Sequence, residues 1–154
     1  MKEHIEAVRT FMGKAGQNVP GQLTIPTEQE LLLRAKLAME ECLELCAALG
    51  VTIYPKSMDQ EPIESTNDLS FSFNGKVDPV EALDAAVDSL WVSTTGVAAI
   101  FGLLDKLEEA VTEVDISNLS KFIDGHKCPE TGKWIKGKSY KPADIKGVIF
   151  NNEN

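Results

Sequence analysis

Apolar residues recur at helical spacing over most of the chain. Ile5, Val8, Phe11 and Met12 predict a first helix over Met1–Lys14. Gly13 through Pro26 is rich in Gly, Pro and Gln and predicts a connector. Thr27 followed by Glu30 is a capping-box start, and the helix it opens meets no breaker before Gly50, a suitable C′ stop. Val51–Tyr54 is a short β-like run. Leu69–Phe73 alternates strictly and precedes Asn74-Gly75, a pair suited to a type I′ turn. The segment between them, PKSMDQEPIESTND, reads as loop. Asp78-Pro79 predicts a third helix, with Asp as N-cap and Pro at the first helical position, running to Phe101 before Gly102. A fourth helix begins at Leu103 or Leu104 and ends near Phe122. Beyond Gly125 the Lys, Gly and Pro punctuation predicts a hairpin or an extended tail. The expected fold class is all-α: a four-helix bundle with a small β-excursion around residues 51–73. Residues 1–154 form a single domain in this reading, with 126–154 as a tail wrapping the bundle.

Two helices carry acids where their apolar stripes should continue. On the second, Leu33 and Leu37 lead at spacings of three or four into Glu40, Glu41 and Glu44. On the third, Val80, Asp84, Val87, Asp88 and Trp91 share a stripe that Glu81 begins. Carboxylates on a core-facing stripe are costly unless paired, protonated or bound to a cation. Facing helices would gather up to six of them in one volume, which calls for a divalent ion. Mg²⁺ suits an all-carboxylate donor set because it takes hard oxygen ligands and keeps exchangeable waters. The two histidines lie outside these helices, so zinc is disfavoured. A solvated acidic face is the plain alternative.

Composition narrows the function classes. The chain has 154 residues and a net charge of −9. Residues 121–154 hold seven lysines against four acids, about +3, which leaves −12 for the rest. An acidic body offers no surface for broad nucleic-acid binding. No apolar run is long enough for a membrane, and the first residues carry charges where a signal peptide has its apolar core. Three cysteines, Cys42, Cys46 and Cys128, make no disulfide framework and point to a reducing cytoplasm. Cys42 and Cys46 read as small buried thiols, and His126 with Cys128 is too sparse for a zinc site. Gln17 and Asn18 carry amides able to read a base edge, though a surface loop accounts for them equally well.

Three blocks, LRAKLAMEECLEL (33–45), DAAVDSLWV (84–92) and EVDISNLSKF (113–122), together with the tail DGHKCPETGKWIKGKSYKPADI, resemble the MazG-like all-α nucleoside triphosphate pyrophosphohydrolases. That superfamily also holds dimeric dUTPases and phosphoribosyl-ATP pyrophosphohydrolases, and the likeness is greatest to a compact phage and bacterial subgroup. The resemblance spans nearly the whole chain. It implies hydrolysis of a nucleoside triphosphate, with a dNTP one option, to the monophosphate and pyrophosphate in nucleotide-pool house-cleaning. It implies Mg²⁺, with Mn²⁺ as a substitute, held by Glu41 and Glu44, with Glu40 the acid that orients or deprotonates the water. The family's second element, ExxD, is smeared here: Glu81-Ala-Leu-Asp84 has the spacing, while distance from the helix end favours Asp88. The order of preference is Asp88, Asp84, Glu81. Asn118 and Lys121 match substrate-side residues, and Trp91 is a candidate for base stacking, although core packing explains it more simply. Small residues Gly96, Ala98 and Ala99 and a surplus of apolar surface imply a homodimer or homotetramer. The rivals are a non-hydrolytic nucleotide- or metal-binding bundle and a phosphoribosyl-ATP pyrophosphohydrolase.

Overall fold

The computed structural model of the chain describes residues 1–57 and 62–150. Helix α1 spans Lys2–Lys14 and buries Val8 and Met12, one turn apart, against Ala99, Ile100 and Leu104. These five side chains form the main buried cluster. Arg9 reaches Asp105 at 3.0 Å and ties α1 to the turn Leu104–Lys106. The connector after α1 crosses over Gly102. That glycine has φ +71°, and a Cβ on it would lie 2.0 Å from the Gln22 carbonyl oxygen, so both conformation and space require glycine there.

Helix α2, Glu28–Ala48, starts where its cap dictates. The Thr27 hydroxyl accepts from the Glu30 N–H at 3.3 Å, and the Glu30 carboxylate accepts from the Thr27 N–H at 2.7 Å. The Thr27 N–H, and the Thr27 hydroxyl donating at 2.8 Å, hold the Glu30 carboxyl below its ordinary range. Thr27→Ala should lower the melting temperature by about 2–4 °C, read by a far-UV circular dichroism melt.

Strand β1, Leu49–Pro55, follows α2 without a loop and pairs antiparallel with β2, Leu69–Val77. Part of the segment read as loop between the runs, residues 58–61, lies outside the described residues; Thr66–Asp68 forms a 3₁₀ turn capped by Ser65. The all-α four-helix bundle is therefore corrected to a mixed architecture of helices and two small antiparallel sheets. Asn74-Gly75 is the source of part of that error. It makes no hairpin turn but lies inside β2, where Leu49 faces Val77 while Val51 faces Phe73, a register shift that accommodates extra residues on β2. The Asn74 side chain accepts from the Lys76 N–H at 2.9 Å and donates to Thr52 Oγ1 at 3.1 Å, which fixes the irregularity. Gly75 does take a positive φ of 77°, but no turn forms, because the whole run Leu69–Val77 pairs with the distant Leu49–Pro55 run. The β element is thus larger than an excursion over 51–73.

Asp78 caps α3, Pro79–Ser89, accepting from the N–H groups of Val80 and Glu81. Its own N–H donates to the Ala48 carbonyl at 2.8 Å, joining the end of α2 to the start of α3. The helical run continues through a π-helical stretch, Leu90–Gly96, into α4, Val97–Ile100. The wider turns re-aim the side chains. Trp91 and Thr95 turn to α1, where Trp91 meets His4 and Phe11 edge-on and the buried Thr95 hydroxyl is 2.8 Å from His4 Nε2. Gly96 stays against α2.

The expected fourth helix is present as α5, Leu107–Ser120, but it does not complete a bundle. The chain direction changes by 118° between Pro79–Ile100 and Leu104–Ser120. The chief packing partners of α5 are the turn before it and α6, Ile145–Phe150, a helix the punctuated tail did not predict. Between them, β3 (His126–Lys127) and β4 (Trp134–Ile135) form the hairpin the tail did predict. Trp134 Nε1 donates to the Lys121 carbonyl at 2.6 Å, and Asp124 accepts from Ser139, so the tail is fastened to the end of α5. Among the described residues, no single helix is long and apolar enough to cross a membrane.

Candidate functional site

Because β1 and β2 return the chain antiparallel, the end of α2 lies beside the beginning of α3. That crossing gathers the acids. Glu41 is half-buried, and its Oε2 is buried with no hydrogen-bond partner among the described residues. Burial first, then the negative charges of Glu44, Asp88, Glu40 and Asp84, push its carboxyl above the ordinary range. The acids of α2 and α3 therefore act on one another through space, as facing stripes require.

Glu44, Glu81 and Asp84 line a cavity of about 370 Å³ at the sheet end of the two helices, over Ala48 and Ala85. Lys76 also lines it. The sequence reading passed over that lysine; the Asn-Gly pair before it, which marks the irregularity in β2, was the available signal. Asp88 stands one turn further along α3, within electrostatic reach of Glu41. Glu81 reaches the cavity but is not among the charges that act on Glu41. Glu40 is exposed and pairs with Lys36 at 3.7 Å on the shoulder of α2.

The donor chemistry is uniformly hard oxygen, and the orphaned Glu41 oxygen is the kind of atom a divalent cation satisfies. The side chains are not drawn in to ligand spacing: among the described residues, no three of the His, Cys, Asp and Glu side chains close into a metal-binding group. Glu41, Glu44, Asp84 and Asp88 are the residues able to hold such an ion, after side-chain rotation.

The remaining candidates lie elsewhere. Asn118 and Lys121 meet each other, Lys121 Nζ donating to Asn118 Oδ1 at 2.6 Å, beside the tail residues Trp134 and Tyr140. Trp91 packs beneath α1, as core packing requires. The three cysteines are free; Cys42 is exposed rather than buried, and burial beside Cys42 pushes the Cys46 thiol up. The Cys128 thiol is held below its ordinary value by hydrogen bonds from Thr131 and Glu130 in the tail turn. In comparisons with known proteins, the chain matches no family model, and no curated protein is similar enough to count as a match.

Proposed function

We propose that this chain is a Mg²⁺-dependent nucleoside triphosphate pyrophosphohydrolase of the MazG-like type, with its site where α2 crosses α3. The observation that carries the proposal is Glu41: a half-buried carboxylate with an unpartnered oxygen, surrounded by Glu44, Asp88, Glu40 and Asp84. Without a cation such an arrangement is repulsive; with one, every acid has a use. Mg²⁺, or Mn²⁺ in its place, would be held by Glu41, Glu44, Asp88 and Asp84, and when bound supplies charge withdrawal from the phosphates and a water of lowered pKa. Glu40 swings from Lys36 to take the proton of the attacking water, which needs only the loss of an exposed i,i+4 ion pair worth little. Lys76 at the cavity edge, and Asn118 and Lys121 if a second copy presents them, steady phosphate or sugar oxygens.

The chain acts as a cytoplasmic homodimer or homotetramer in this proposal. Leu119 on α5 is 68% exposed, and Leu83 on α3 and Leu32 on α2 are similarly bare, more apolar surface on three helices than a lone domain leaves open. A non-hydrolytic binder is the second reading, favoured by the pairing of Glu40 with Lys36. A panel of NTPs, dNTPs and phosphoribosyl-ATP, assayed for product identity with Mg²⁺ and with EDTA, separates the two. Monophosphate plus pyrophosphate, only with the metal, is expected; diphosphate plus phosphate refutes α–β cleavage, and no turnover favours the binder. Asp88→Asn should lower turnover by about 10²-fold and raise the Mg²⁺ needed for half-activity, with Asp84→Asn smaller on both counts. Metal titrations of the two variants read the order directly.

A further inference from the structure

Arg34 is a buried cation with no counter-ion among the described residues. It is 8% exposed, and among the described residues no other charged side chain is buried. Its guanidinium donates to Gln17 Oε1, and no carboxylate forms an ion pair with it. Glu30 lines the same pocket, and its Oε2 accepts from the Thr27 N–H and hydroxyl. Burial lowers the pKa of Arg34. The buried hydroxyl of Thr95, by contrast, has its partner in His4.

The surroundings are arranged around that head group. Arg34 lines a pocket of about 270 Å³ together with Gln17, Asn18, Glu30 and the apolar Leu33 and Ile100. Gly96 leaves the room the guanidinium occupies: a Cβ there would lie 2.7 Å from Arg34 Nη1. A guanidinium has five N–H donors in a planar fork, and Gln17 takes only part of them. The fork matches two oxygens of a phosphate or carboxylate, and the Asn18 amide adds a further donor at the rim. The pocket is smaller than those that enclose whole drug-sized ligands, so the occupant is small.

We infer that this pocket, where Arg34 stands with Gln17 and Asn18 and the Glu30 carboxyl also lines the space, is a binding site for a small free oxyanion, with phosphate the best fit. The site lies about two helical turns before Glu41 on α2 and works without it, so its occupancy is measured with nucleotide absent and EDTA present. Failure of phosphate binding therefore leaves the hydrolase proposal standing, and failure of hydrolysis leaves this one standing.

The test is thermal melting and calorimetric titration of the full chain with inorganic phosphate, chloride holding ionic strength constant. Phosphate is expected to raise the melting temperature of the wild type by about 2–4 °C. Arg34→Met should abolish the shift. Gly96→Ala keeps the charge and the helix but pushes on the guanidinium, and should weaken phosphate binding about tenfold; it serves if Arg34→Met does not fold. No shift in the wild type, or an equal shift in both variants, overturns the inference. So does a wild type blind to phosphate whose self-association, by sedimentation, falls in Arg34→Met, because the guanidinium would then meet a second copy.

Discussion

Replacing Glu41 with glutamine is expected to lower Mg²⁺-dependent nucleotide hydrolysis by about 10²–10⁴-fold and to raise the melting temperature of the metal-free chain. The two changes have one cause. Glu41 carries a negative charge in a half-buried position, one oxygen without a hydrogen-bond partner, with Glu44, Asp88, Glu40 and Asp84 adding repulsion. Glutamine keeps the shape and removes the charge. The Glu41 carboxyl is held above the ordinary range in the folded wild type, so across the window between the two values the native state binds more protons than the unfolded state. Native stability contributed by this group is therefore lost as pH rises through that window, and at neutral pH the wild type carries the full penalty. Glu41→Gln should melt about 2–4 °C higher at neutral pH, and the advantage should vanish as pH falls below the ordinary glutamate range. Mg²⁺ should reverse the order, stabilising the wild type more than the variant. Melts with EDTA and with Mg²⁺ at two pH values check all three signs. A variant that melts lower than the wild type in EDTA at neutral pH would sink the view of Glu41 as a strained, cation-seeking carboxylate.

What could be read from the sequence divides along the range of the interactions. Thr27 with Glu30, and Asp78 with Pro79, set helix starts through contacts within three residues, and both starts lie where the sequence places them. The acids were legible for the same reason: spacings of three and four put Glu41, Glu44, Asp84 and Asp88 on helix faces whatever the rest of the chain does. Longer-range features were not legible. The Asn74-Gly75 pair has the chemistry of a hairpin turn, and only the pairing of Leu69–Val77 with Leu49–Pro55 turns it into an irregularity within a strand. The bundle failed at Gly102, read only as a helix stop, because the 118° change of direction there sends α5 to the tail instead of alongside α2. Arg34, inside LLLRAKL, carries no local mark of its burial. Its burial depends on Gln17 from the connector and on the space left by Gly96, residues 17 behind and 62 ahead. Helix α6 hid among lysines and glycines, since it is short and its support is Glu113 on α5, whose carboxylate accepts from the Asp144 N–H at 3.1 Å.

Met12→Ala should cost about 2–5 kcal/mol of folding stability, the largest loss expected from any one core truncation. Met12 is 1% exposed and, with Val8, is among the largest fully buried side chains described. It packs in a small cluster with Val8, Ala99, Ile100 and Leu104, flanked by Ile5, Val19, Trp91, Ala98 and Phe101. So small a core has little to spare, and alanine there leaves a cavity that neighbouring helices cannot close without moving α1. Displacing α1 would also free Trp91 from Phe11 and Thr95 from His4, contacts made by the π-helical stretch that follows the acids of α3. The loss should therefore reach the carboxylate site. A chemical-denaturation midpoint measures the stability change, and Mg²⁺ titration at a temperature where the variant is still folded measures the site. If Met12→Ala binds Mg²⁺ as the wild type does despite its lost stability, the α2–α3 crossing holds its geometry without α1, and the sheet joining the two helices is sufficient to position the acids.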